Sequence, residues 1–152
     1  YVGELNGKSS KQAYMDALHI SESNIINQTF HNPIGKMNGQ DICIISLKEV
    51  SGNGLCCYRQ VNDSDVLVLL EEQDYNEILD ETLQRIRRDF NHISGVFSIN
   101  CVFRYLLFSQ EHHMEDYLKT MSTLGDHAGL IGFGEHYNQQ FVNQTMTCVV
   151  FE

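Results

Sequence analysis

Basic residues are scarce in this chain: 10 lysines and arginines stand against 20 aspartates and glutamates, a formal charge of −10 over 152 residues. Nucleic acid and anionic membranes need a basic face, so neither is expected as a partner. Proline occurs once, at Pro33, and tryptophan not at all. No linker, low-complexity tract or internal repeat divides the chain, so a single domain over residues 1–152 is expected. No apolar run reaches the roughly 18 residues of a membrane span. No secretory signal opens the chain and its first residue is Tyr1, which reads as a cytoplasmic piece of something longer. Cysteines are few and odd in number, five, and Cys43, Cys101 and Cys148 sit inside apolar runs. That suits buried, reduced thiols rather than a disulfide frame. Cys56 and Cys57 are adjacent and lack zinc-site spacing; His112 and His113 are neighbours about 100° apart on a helix. No metal and no cofactor is therefore expected.

What is present is the composition of a globular domain, 42% hydrophobic and 10% aromatic. Tyr1–Leu5 reads as a short strand closed by the turn dipeptide Asn6-Gly7. Ser9 starts a helix with Gln12 in the capping-box position, and Ala13, Tyr14, Ala17 and Leu18 form its apolar stripe. Asn24–Phe30 reads as a second short helix, and Asn32-Pro33-Ile34-Gly35 as a turn. Strands follow over Asp41–Val50 and Leu55–Val61, joined by the hairpin loop Ser51-Gly52-Asn53-Gly54. Asp65–Glu71 holds an unbroken apolar run suited to a strand buried on both faces. Asp74 opens the longest helix, to about Asn91, with acids at its start and arginines at its end, a charge order that complements the helix dipole. Gly95–Cys101 is a buried strand. A helix over about Gln110–Leu124, a strand over His127–Glu135, a polar loop over His136–Asn143 and a strand over Gln144–Phe151 complete the chain. Hairpins mixed with strand–helix–strand units predict an α+β, two-layer domain: one mixed, mostly antiparallel sheet with about three helices packed on it.

One stretch organises the functional reading. Arg104 lies among Phe97, Ile99, Phe103, Leu106, Leu107 and Phe108, and a guanidinium in such company needs an anionic partner. The connection from Cys101 to His127 is long enough, and helical enough, to cross over between parallel strands. A parallel crossover puts the C-terminal ends of both strands on one rim of the sheet. That rim would gather Asn100, Cys101, Arg104, Gly134, Glu135 and His136. Arg104 would grip a carboxylate and Glu135 an ammonium, which suits a zwitterion such as an amino acid. Gly132 and Gly134 would let a ligand or a neighbouring backbone come close. Equally, Arg104 and Glu135 would form an ion pair that only staples two elements together. Cys101 is open to two readings, a nucleophile with His127 or His136 as base, or a small buried hydrophobe.

Several segments in order resemble one family. Glu4-Leu5-Asn6-Gly7-Lys8 with Tyr14, Asn32-Pro33-Ile34-Gly35, Phe97-Ser98-Ile99-Asn100-Cys101-Val102-Phe103-Arg104, Gly132-Phe133-Gly134-Glu135 and Asn143-Gln144-Thr145 are similar to the C-terminal half of the FIST proteins, the F-box and intracellular signal transduction sensors. The resemblance implies a cytoplasmic sensory domain for small ligands, amino acids among them. It also implies a preceding FIST N-terminal domain and a signalling output or F-box in the same longer chain. The expectation is a non-enzymatic ligand-binding domain with no catalytic residue. Arg104 is its anion anchor, Glu135 its cation acceptor, and Asn100, Cys101 and Gly134 its wall. A thiol enzyme using Cys101 and a purely structural or interaction domain are the alternatives.

Overall fold

Asn6 (φ 53°) and Gly7 (φ 76°) reverse the chain between two short antiparallel strands, β1 (Glu4–Leu5) and β2 (Lys8–Ser9). Positive φ at both central residues is what an Asn-Gly hairpin turn requires. The computed structural model describes residues 1–152, and they fall into two units, Tyr1–Glu71 and Glu72–Glu152.

In the first unit Ser9 caps α1 (Ser10–Leu18), its Oγ accepting from the Gln12 N–H at 3.3 Å, as the sequence predicts. A short α2 (Ile25–Gln28) follows. Next come β3 (Ile34–Asn38), β4 (Asp41–Ile45), β5 (Leu47–Ser51), β6 (Gly54–Cys57) and β7 (Leu67–Leu69). Strand β3 is central, with β4 and β7 antiparallel on either side; β5 and β6 form a separate hairpin. Tyr14, Ile25, Ile34, Ile45, Leu47 and Leu55 make the core. Each such aliphatic side chain contributes about 1.5–3 kcal/mol by leaving water.

Two expectations fail here. The turn predicted at Asn32–Gly35 runs straight into β3, and the single strand expected over Asp41–Val50 is two. The Leu47 N–H donates to Thr29 Oγ1 at 2.8 Å instead of continuing the ladder, so the chain leaves one sheet at Ser46 and enters another.

In the second unit Asp74 caps α3 (Tyr75–Asp89), its Oδ1 accepting from the N–H groups of Asn76 and Glu77. Leu79, Leu83 and Ile86 form the buried face. Then come β8 (Gly95–Cys101), α4 (Val102–Gln110), α5 (Met114–Met121), β9 (Asp126–Gly132), β10 (Glu135–Tyr137), β11 (Gln140–Val142) and β12 (Met146–Phe151). Strand β8 is central, antiparallel to β12 and parallel to β9, with Cys101 opposite Gly132. The parallel crossover inferred from the chain length is therefore present.

The class is α+β, but one sheet with about three helices is a correction in detail: there are five small sheets and five α-helices. The helix placed at Gln110–Leu124 is two helices, and the first starts at the residue after β8. Val102–Phe108 gives no alternation and no capping side chain, so nothing local marks the start of this helix. His112 at φ 56° breaks the helical run before α5. Ser109 caps neither helix and donates to the Tyr105 carbonyl within α4. Strand β9 ends at Gly132, and the loop expected over His136–Asn143 is largely the β10–β11 hairpin. No helix of the chain is long and apolar enough to cross a membrane.

Candidate functional site

Along β8, Val96, Ser98 and Asn100 point to one face of the sheet, because strand side chains alternate with period two. All three are buried. Helix α4 packs on β8 and β9 and also on α5, so the polar pair Ser98 and Asn100 is closed in. Buried polar atoms must find partners, and these do. Asn100 Nδ2 donates to Tyr117 Oη at 2.8 Å, and Tyr117 Oη donates to Met146 Sδ at 3.2 Å. Ser98 Oγ lies 2.9 Å from His127 Nε2 and 3.3 Å from Tyr117 Oη. Burial pulls His127 below the ordinary imidazole value. The approach of Ser98 to β9 needs a residue without a side chain at position 129: a Cβ there would stand 2.5 Å from Ser98 Oγ and 2.7 Å from its carbonyl.

Arg104 lies in the first turn of α4, four residues after Asn100 of β8, and its Nε reaches back and donates to Asn100 Oδ1 at 3.2 Å. The guanidinium carbon lies 4.5 Å from the centre of the Phe108 ring and 5.6 Å from that of Tyr117. Two aromatic faces thus hold the cation in a stacked geometry. Burial lowers its affinity for the proton, and the neighbouring Tyr117 and Glu135 oppose that.

Glu135 opens β10 and is 2% exposed. Its Oε2 accepts from Thr145 Oγ1 at 2.6 Å, while Oε1 is buried with no hydrogen-bond partner. Thr145 also fixes the end of β8, since its carbonyl accepts from the Cys101 N–H at 3.0 Å. Burial pushes the Glu135 carboxyl up; the Thr145 hydroxyl and the Arg104 charge pull it down without reversing the direction. Arg104 and Glu135 therefore feel each other's charge, yet no N–H of Arg104 reaches Oε1. A closed ion pair would satisfy that oxygen. The staple reading predicts such a pair, and the geometry instead leaves a buried acceptor unpaired within the field of the stacked cation.

The sequence-derived residues separate as follows. Asn100, Cys101, Arg104 and Glu135 come to the same end of the β8–β9 pair. Cys101 is 1% exposed. His136 is exposed, its ring against Phe141. Gly134 has φ 118°, and a Cβ there would drive into the Phe141 ring. Gly134→Ala is expected to cost about 1–3 kcal/mol, the usual range for a side chain forced into such a backbone. Gly132→Ala, whose Cβ would stand 3.2 Å from the Gly134 carbonyl, should cost less. Urea denaturation of the two variants checks the order.

Tyr117, Thr145 and Met146 were missed as site residues. Tyr117 carries the one signal that sequence offered: a hydroxyl inside the apolar stripe of Met114, Leu118 and Met121 needs a buried partner. Thr145 and Met146 gave none, because their role depends on where β12 pairs.

A family description, the FIST C domain, matches residues 11–138. No curated protein and no solved structure matches the chain.

Proposed function

This chain belongs to the FIST C domain family, and we propose that it is a sensory, ligand-binding domain of a signal transduction protein. Its ligand is a small zwitterion such as an amino acid. The observation that carries the reading is the unpartnered, buried Oε1 of Glu135 under the field of Arg104. A buried acceptor left empty costs about 1–3 kcal/mol, and a ligand ammonium would fill it. Arg104 uses its Nε on Asn100 and its ring-facing surface on Phe108, leaving its terminal nitrogens for a ligand carboxylate. Asn100 and Tyr117 orient the guanidinium; Cys101 and Gly134 close the wall. Ligand binding would then stabilise the domain and shift its contact with a FIST N-terminal domain and an output module in the longer chain.

Thermal melts with a panel of amino acids and with matched amines and carboxylic acids test this. At least one amino acid should raise Tm by several degrees at a concentration about 100-fold above its Kd. Neither half-ligand should do so equally well, and Arg104→Met should abolish the shift while leaving the far-UV spectrum intact. An unchanged Tm with every amino acid, or a shift that persists in Arg104→Met, would sink the proposal.

A further inference from the structure

The first unit has an unpaired strand edge. Strand β7 pairs only with β3. Within that ladder the Met37 N–H donates to the Val66 carbonyl at 3.0 Å, and the Leu70 N–H to the Pro33 carbonyl at 2.9 Å. Antiparallel pairing uses alternate residues, so Val66, Val68 and Leu70 commit their backbone groups to β3. The N–H and C=O groups of Leu67 and Leu69 point the other way.

That open side is not flat solvent. A groove of about 970 Å³ runs along it, with Gly3–Asn6 and the α1 residues Ala13, Tyr14 and Ala17 also lining it. Leu67 and Leu69 stand on the sheet face of Ile34, whereas Val66 and Val68 stand on the other. Residues of both faces line the groove, so it follows the edge of β7 rather than crossing one face. Val66 and Leu69 are 63% and 42% exposed there.

The charge of the groove is one-sided. Glu4, Asp16, Asp63 and Asp65 line it against Lys8 alone. Asp65 is held by Lys36 at 2.6 Å; Glu4, Asp16 and Asp63 are exposed and make no ion pair. We propose that this edge takes up an extended basic peptide segment as an added strand. The Leu67 and Leu69 backbone would give the ladder, and Glu4, Asp16 and Asp63 would take alternate lysines or arginines. A second copy of the chain fits poorly, since each carries a formal charge of −10 and would meet its own acids. Acids beside an edge can also serve only to keep other strands off, and the experiment separates the two roles.

The probes are a blocked five-residue peptide of alternating lysine and valine, its twin with glutamate for lysine, and a third with alternate backbone nitrogens methylated. Binding to the whole chain is read by fluorescence anisotropy, and amide exchange at Leu67 and Leu69 by NMR. The lysine peptide should bind saturably, slow exchange at both amides, and bind at least about tenfold more tightly than either twin. Asp16→Lys with Asp63→Lys should weaken it by a similar factor, more so at low salt. Leu69→Pro removes a donor that faces away from β3, a place where an edge strand tolerates proline. It should abolish the exchange effect with Tm nearly unchanged. No saturable binding, unaltered exchange at Leu67 and Leu69, or equal binding of the methylated peptide would overturn the proposal. If Leu69→Pro fails to fold, the methylated peptide and the lysine variants still decide it.

Discussion

Phe108→Ala is expected to destabilise the Glu72–Glu152 unit by about 3–5 kcal/mol, the range for truncating a buried phenylalanine. Phe108 is 1% exposed, and its ring meets Tyr75 at 4.9 Å, His113 at 4.9 Å and Tyr117 at 5.6 Å. Removing it opens a cavity where α4 and α5 meet around these rings. It also takes away the surface on which the Arg104 guanidinium lies. These two effects are separable. Phe108→Leu refills most of the volume and should cost less than about 2 kcal/mol, yet a leucine has no π-face for the cation. Urea denaturation of both variants should therefore show a large and a small loss. Amino-acid-induced shifts in Tm should be weakened in both. If Phe108→Leu kept the full ligand response, the aromatic platform would have no part in positioning Arg104.

How legible the molecule was follows from which forces are local. The Asn6-Gly7 turn, the caps at Ser9 and Asp74, the long helix α3 and strand β8 are settled by a few adjacent residues, and each is found where the sequence puts it. The parallel pairing of β8 with β9 was legible from the length and helical content of the connection, because a crossover needs many residues and a hairpin few. What could not be read were the places where tertiary contacts override local pattern. Thr29 takes the Leu47 N–H and splits one expected strand into two. Residues 102–110 form a helix although their apolar run is as compatible with a strand. Glu135 was expected at the end of a strand but starts a hairpin, because Gly134 at φ 118° turns the chain just before it. The charged pair of the site was visible as an arginine in an apolar setting. The Ser98–Asn100–Tyr117–His127 network behind it was not, since it joins residues of three separate elements.

Glu135→Gln should gain in stability on the wild type as the pH rises through the folded value of Glu135, and should be unable to respond to amino acids. Glutamine keeps an oxygen for Thr145 and removes a charge that burial disfavours, but it sets an amide NH2 without an acceptor where Oε1 stood. The pH dependence fixes the sign. Burial raises the carboxyl of Glu135 above its ordinary value of 4.5, so the folded state favours the protonated acid. The stability this group contributes is fully present below the unfolded value and is lost as pH rises through the folded one. Glutamine does not titrate. The gain of Glu135→Gln should therefore be greatest near neutrality and shrink as the pH is lowered toward and below 4.5. Denaturation midpoints at several pH values measure it. A saturating amino acid should offset that gain at pH 7, since an ammonium on Oε1 restores the missing partner in the wild type and has nothing equivalent in the variant. A difference that is flat with pH would mean that Oε1 is already satisfied and that no acceptor waits there.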